Sequence, residues 1–158
     1  MALASETVAN KLIELASADG EKLTPMQLIK LVYICHGWTL ALTDRQLIME
    51  DIEAWQYGPV ISDLYHALKQ YKSSAITSPI NNMFEKIDKF DDVQESIVEQ
   101  VYNIYAKYTG IQLSSLTHKK DTPWDLTWNT YGQSAVIPQQ WIREHFKELQ
   151  ARGKEKQA

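Results

Sequence analysis

Four pairs of side chains combine residue types that could do nucleophilic, acid–base or metal chemistry: Cys35 with His36, Asp63 with His66, His118 with Asp121, and His145 with Glu148. Cys35 and His36 are adjacent on a predicted helix, so their side chains diverge by about 100° and cannot form a nucleophile–base pair by themselves. Asp63 with His66, and His145 with Glu148, have the spacing of hydrogen-bonded pairs on a helix surface, a commoner role than metal ligation.

The pair His118 and Asp121 is the strongest enzymatic candidate, because it falls in an irregular segment just before Pro123. It could act in acid–base catalysis, or it could cap a helix end and order the turn. The sequence contains no glycine-rich phosphate loop, no paired-cysteine motif and no aromatic run with basic residues. We therefore predict no cofactor and no metal.

Composition indicates an ordinary globular chain of 158 residues, with 44% hydrophobic and 23% charged residues. Twenty acidic and sixteen basic side chains give a formal charge of −4, which disfavours general attraction to nucleic acid or an anionic membrane. Cys35 is the only cysteine, and the sequence shows neither a signal peptide nor a run of about 20 apolar residues. These features predict a cytoplasmic protein.

The segment from Leu23 to Thr43 reads as a helix that other elements surround. Thr24 is a good N-cap, Pro25 suits the first helical position, and Gln27 completes a capping box. Two apolar stripes follow at helical spacing, the first formed by Leu28, Leu31, Val32, Cys35, Trp38 and Leu42, and the second by Met26, Ile29, Tyr33 and Leu40. A helix that is apolar on two faces belongs in a core, and Lys30 within it must either snorkel to solvent or find an acceptor.

The rest of the chain reads as short helices around that segment. A first helix is predicted over 4–18 and a strand over 51–57, after which Pro59 would start a helix. Asp92 with Glu95 would cap a helix that turns Val93, Ile97, Val101 and Ile104 inward, and Gly110 would end it. Residues 73–91 look irregular. The six acidic and two basic residues between Glu85 and Glu99 read as a solvated face.

Thr122 and Pro123 repeat the cap-then-proline pattern and predict a helix carrying Trp124 and Trp128. A short strand over 134–137 and a last helix from Pro138 complete the chain. We therefore predict a mainly α single domain over 1–150. It would have about six or seven helices around a buried central helix and at most a small two-stranded β element. Residues 151–158 would form a disordered basic tail.

Three segments in this order resemble the signature of the Panacea antitoxin domain, the SocA-like family that is also described as phage-associated GepA-like. Residues 23–33 match "LT-x-x-x-L-x-KL-x-Y", residues 54–60 match "AW-x-x-GPV", and residues 113–124 match "LS-x-x-TH" followed by "PW". The resemblance extends over roughly residues 4 to 148. The signature residues are Leu28, Lys30, Leu31, Tyr33, Ala54, Trp55, Gly58, Pro59, Val60, Thr117, His118, Pro123 and Trp124.

The resemblance implies a helical antitoxin of a toxin–antitoxin system, which neutralises a cognate protein toxin by direct binding. In the SocA-like branch it also implies delivery of the toxin to a protease. A domain of this kind needs a binding surface rather than a catalytic centre, so we expect the signature residues to determine the fold. Two other function classes stay open, namely a phage-associated DNA-binding regulator and an enzyme that uses His118 and Asp121.

Overall fold

A computed structural model describes residues 1–157, with side chains for residues 1–153. Its helices are α1 (Ser5–Ala18), α2 (Pro25–Thr43), α3 (Ser62–Leu68), α4 (Asp92–Tyr105), α5 (Gly110–Thr117), α6 (Pro123–Tyr131) and α7 (Gln139–Gln157). The strands β1 (Glu53–Trp55) and β2 (Gly58–Val60) form one antiparallel hairpin, and a short 3₁₀ helix, Lys69–Tyr71, follows α3. The predicted fold class is confirmed: the chain is mainly α with one small β element.

Helix α2 lies at the centre of the fold, as predicted. The Thr24 hydroxyl accepts from the backbone N–H of Gln27, and the Gln27 side chain accepts from that of Thr24, so the capping box is formed. The helix packs against α1, α3, α4, α5, α7 and β2. Most of the two predicted stripes is buried, but Met26 and Leu42 at the ends are 36% and 50% exposed, and Trp38 is partly exposed.

Gly37 allows α7 to approach α2 closely. A side chain at this position would overlap the ring of Phe146, which lies against the α2 backbone. That ring makes edge contacts with Tyr33 and Trp38, at centroid distances of 5.9 and 5.4 Å. The absence of a side chain at Gly37 thus creates the space that the aromatic core fills.

The predicted small β element is confirmed, but its two strands are β1 and β2 and not the predicted pair of segments 51–57 and 134–137. Pro59 lies in β2, opposite Ala54, and α3 begins only at Ser62, so the prediction that Pro59 starts a helix is wrong. Ala54 directs its N–H and carbonyl groups away from β2, to the backbone of Ala135 and Ser134 at 2.9 and 2.7 Å. The missing N–H of Pro59 therefore leaves no ladder bond unmade. The predicted segment 134–137 pairs with β1 through one bridge, between Glu53 and Val136.

Several carboxylates of the acidic segment make structural contacts and do not simply face solvent. Asp88 accepts hydrogen bonds from the Ala4 N–H and the Thr7 hydroxyl, at 2.8 and 2.6 Å, and so caps the start of α1. Asp91 caps α4, and Glu95 forms an ion pair with Lys11. The acidic residues thus attach the irregular segment and α4 to α1.

The predicted boundaries and inward face of α4 need correction. The cap is Asp91 with Gln94, one residue earlier than predicted. Ile97 and Val101 are buried as expected, but Val93 and Ile104 are 54% and 55% exposed, because Gln94, Val98 and Tyr102 share the inner face with Ile97 and Val101. Gly110 begins α5 after the Thr109 cap and does not end α4.

Helix α7 continues to Gln157, through most of the segment predicted to be a disordered basic tail. Apart from Gly153, residues 147–157 are good helix formers and include no proline, which accounts for the continuation. Ala158 lies outside the described residues.

Because His36 is buried, we expect acid to lower the stability of the fold. Its ring is buried, donates from Nε2 to the side-chain oxygen of Gln139 at 2.6 Å, and accepts from the Ile48 N–H at 3.3 Å. Burial lowers the pKa of His36 from 6.5 to about 4. The unfolded chain binds a proton below pH 6.5 that the folded chain excludes, so stability should fall as the pH drops from 6.5 to 4.

Urea unfolding at pH 7, 6, 5 and 4.5 measures this loss, and His36→Gln should reduce it. The variant must be compared with the parent, because burial also lowers the pKa of His145 and so contributes to the same loss of stability in acid. An equal loss in both proteins would show that His36 is not the source.

Candidate functional site

The three signature segments converge on the β1–β2 hairpin. Side chains from α2, α5 and α6 each donate a hydrogen bond to a different backbone carbonyl of the hairpin. Lys30 Nζ donates to Pro59 at 2.9 Å, Ser114 Oγ to Tyr57 at 2.5 Å, and the Trp124 indole N–H to Trp55 at 2.6 Å. We call this arrangement the hairpin clamp: Lys30, Ser114 and Trp124 around residues 55–59. It joins the parts of the chain that carry the family resemblance.

Lys30 lies inside the fold and forms no ion pair with a carboxylate of residues 1–153. It is 2% exposed and donates to the Pro59 carbonyl, so of the two predicted alternatives it finds an acceptor and does not snorkel to solvent. Burial lowers the pKa of Lys30 from 10.5 to about 7. Because a neutral amine also donates hydrogen bonds, the contact with Pro59 can persist in both protonation states.

Gly58 is the point of closest approach between the hairpin and α2. Its φ of +121° is one that side chains rarely adopt, and a methyl group there would lie 3.0 Å from Lys30 Nζ and 3.4 Å from Thr117 Oγ1. The Thr117 hydroxyl donates to the Leu113 carbonyl at 2.9 Å, which holds it beside Gly58. The glycine is needed for its backbone angle and for its small size.

Trp124 is positioned by the start of α6. The Thr122 hydroxyl accepts from the Asp125 N–H, and Pro123 occupies the first helical turn, as predicted. The Trp124 ring stacks on Trp128 at 5.3 Å and receives the edge of the His118 ring, also at 5.3 Å. Trp55 and His118 are partly exposed. The remaining signature side chains are buried, namely Leu28, Leu31, Tyr33, Ala54, Pro59, Val60, Thr117 and Pro123.

Ser114 is a member of the hairpin clamp that sequence reasoning did not single out. It is the serine of the motif "LS-x-x-TH", so the sequence pattern contained this residue. Its partner, the Tyr57 carbonyl, lies 57 residues away along the chain. No local pattern identifies such a pairing.

His118 and Asp121 make separate contacts in the structure. The His118 Nδ1–H donates to the Ser114 carbonyl, at the end of α5. Asp121 is exposed, with a left-handed φ of +69°, and its backbone N–H bonds to Asp125 at 2.8 Å. Within residues 1–153 no hydrogen bond joins His118 to Asp121, and neither lines the groove between α2, α4, α5 and α7.

The other candidate groups are also separate from one another. Cys35 is fully buried, and burial raises the pKa of its thiol, which disfavours the thiolate. Among residues 1–153, no three His, Cys, Asp or Glu side chains come together in a group that could hold a metal ion. The described helices include none with the length and apolarity needed to cross a membrane.

His118→Ala is expected to lower the melting temperature and toxin neutralisation together. The substitution removes the bond to Ser114 and the ring edge against Trp124, so a structural role predicts that the fold weakens first. Thermal melts beside a neutralisation assay measure both effects. Full stability with complete loss of activity would contradict the structural role and favour direct participation in function.

Comparison with known protein families places the signature residues in a single domain. Residues 28–125, more than half of the chain, match the model of the family described as "Antitoxin SocA-like, Panacea domain". The chain belongs to this family. All thirteen signature residues fall within the matched range, and the predicted family resemblance is confirmed.

The chain is also similar to the curated protein Antitoxin SocA of Caulobacter vibrioides (strain NA1000 / CB15N). The two are 29% identical over 136 residues, which cover 81% of this chain and 72% of the relative. No solved structure matches the chain.

Proposed function

We propose that this Panacea-domain protein is an antitoxin that neutralises a cognate protein toxin by binding it directly in the cytoplasm. Family membership is the observation that carries the proposal. The geometry supports binding rather than catalysis, because His118 and Asp121 make separate structural contacts. Delivery of the bound toxin to a protease is a second step, which the same complex could serve.

The hairpin clamp supports a division of labour within the domain. Lys30, Ser114 and Trp124 are buried and donate to backbone carbonyls, so these groups are already occupied. We propose that the signature residues build the fold and that other surface residues contact the toxin. A specific complex should bury at least about 1,000 Å² and use apolar anchors other than the thirteen signature residues.

The test is co-expression of this chain with the product of each neighbouring gene in a bacterial host. We expect one product to stop growth alone and to be neutralised by this chain, with the pair eluting as one complex in size-exclusion chromatography. A protease role adds one further expectation: the toxin should disappear faster when this chain is present, and persist in a protease-deficient host.

A gel shift on the upstream DNA of the operon tests the alternative regulatory function. The formal charge of −4 predicts no sequence-specific complex by this chain alone. A sharp DNA complex that survives added salt, formed without toxin, would favour the regulator. Failure of every neighbouring product to bind or be neutralised would count against the antitoxin proposal.

A further inference from the structure

A groove of about 690 Å³ lies between α2, α4, α5 and α7, on a part of the molecule that the hairpin clamp does not use. Its walls are mainly aromatic and aliphatic, formed by Trp38, Tyr105, Tyr108, Leu116, Phe146 and Leu149. At its rim Ile104 is 55% and Leu116 is 39% exposed, so apolar surface continues outward from the groove. A concave apolar surface with exposed apolar edges is typical of sites that bind another molecule.

The floor of the groove presents tyrosine hydroxyl groups. Tyr33 lines the groove and is 2% exposed. Within residues 1–153 no fully buried side-chain nitrogen or oxygen lacks a hydrogen-bond partner, so the groove holds no unmet buried hydroxyl. Tyr105, in the same wall, accepts a bond from the Trp38 indole at 3.3 Å and keeps its own proton available. The groove therefore offers polar contacts at its base as well as apolar walls.

The charged residues that line the groove are all basic. They are Lys119, Lys120 and Arg152, and no described aspartate or glutamate lines it, although the whole chain carries a formal charge of −4. Arg152 is already paired with Glu148 at 2.5 Å. Neither lysine forms an ion pair within residues 1–153. The free lysines create a local positive field that favours an acidic ligand.

We propose that this groove is the toxin-binding surface, and that it takes an acidic segment of the toxin carrying one large apolar side chain. This inference rests on the proposed antitoxin function. The apolar side chain would enter between Trp38, Tyr105 and Leu149, while carboxylates on either side face Lys119 and Lys120. The exposed rim favours a protein over a small molecule, because a protein segment would also cover Ile104 and Leu116.

Two pairs of matched variants test the groove, with the neighbouring-gene toxin as the probe. Leu116→Glu places a charge on the apolar rim, and Leu126→Glu is its control, a leucine of similar exposure (45%) on α6 outside the groove. Lys119→Glu/Lys120→Glu reverses the rim charge. Lys69→Glu/Lys86→Glu changes the net charge equally at exposed positions outside the groove.

Each variant is compared with the parent by thermal melting, calorimetric titration with the toxin and growth rescue. We expect both groove variants to weaken toxin binding by about tenfold or more, and both controls to stay within about twofold. The lysine reversal should also reduce the dependence of affinity on salt. If a glutamate variant melts at a lower temperature than the parent, Leu116→Gln or Lys119→Gln/Lys120→Gln is used in its place, because glutamine perturbs the structure less.

The outcomes separate this inference from the proposed function. Parental affinity in folded groove variants would overturn the groove while leaving the antitoxin function intact. Absence of any toxin complex with the parent would remove both proposals. Binding of DNA that the lysine reversal abolishes, with toxin binding unchanged, would overturn the groove as a toxin site and identify it as a nucleic-acid surface.

Discussion

Leu31→Ala is expected to lower the free energy of unfolding by about 2–5 kcal/mol. Leu31 is fully buried in α2, the helix against which most of the other elements pack. Removing its side chain forfeits apolar burial and leaves a cavity, and neighbours on several sides restrict how far the structure can collapse into it. Urea unfolding of parent and variant under identical conditions gives the difference directly.

Leu42→Ala is the matched control for Leu31→Ala. It makes the same chemical change on the same helix, but Leu42 is 50% exposed near the helix end. We expect a loss of less than about 1 kcal/mol there. If Leu31→Ala cost as little as Leu42→Ala, α2 would not be the centre of the core.

Trp124→Ala should cost about 3–5 kcal/mol, because it empties a large buried site and breaks the hairpin clamp. Trp124→Phe separates the two effects. Phenylalanine keeps an aromatic ring against His118 and Trp128 but cannot donate to the Trp55 carbonyl. Losing that hydrogen bond should cost about 0.5–1.5 kcal/mol beyond the change in packing, because the Trp55 carbonyl still belongs to the strand pair with Gly58. Thermal and urea unfolding of both variants provide the values.

Trp128→Phe is the control for the indole hydrogen bond. Trp128 stacks on Trp124, and within residues 1–153 its N–H makes no hydrogen bond. The same substitution there should cost clearly less than at Trp124. Equal losses at the two positions would mean that the bond to Trp55 adds nothing to stability.

Local signals in the sequence correctly predicted the starts of α2 and α6. The capping box of Thr24 with Gln27 and the cap-then-proline pattern at Thr122 each involve residues within one helical turn. The burial of α2 also followed from its two apolar stripes. These features depend on neighbouring residues alone, so one sequence is enough to recognise them.

Features that depend on distant partners were not predictable in the same way. Pro59 carries the local signal for a helix start, yet it lies in β2, paired with Ala54. The N–H and carbonyl of Ala54 bond to the backbone at 134–135, so this pairing needs no N–H from Pro59. The hairpin clamp joins residues separated by 29, 57 and 69 positions. The family resemblance identified most of the residues involved, but only the structure shows that side chains donate to hairpin carbonyls.

The burial of Lys30 makes this residue an internal reporter of motion. At 2% exposure Lys30 cannot be reached by an acylating reagent, and because burial alone lowers its pKa, an opened Lys30 reacts like an ordinary exposed lysine. Modification must therefore wait until the hairpin separates from α2, so its rate relative to the exposed lysines measures how often that opening occurs. Mass spectrometry of a timed acetylation series would thus give the opening equilibrium of the hairpin in the intact protein, and toxin binding that restrains the hairpin would appear as slower acetylation at one residue.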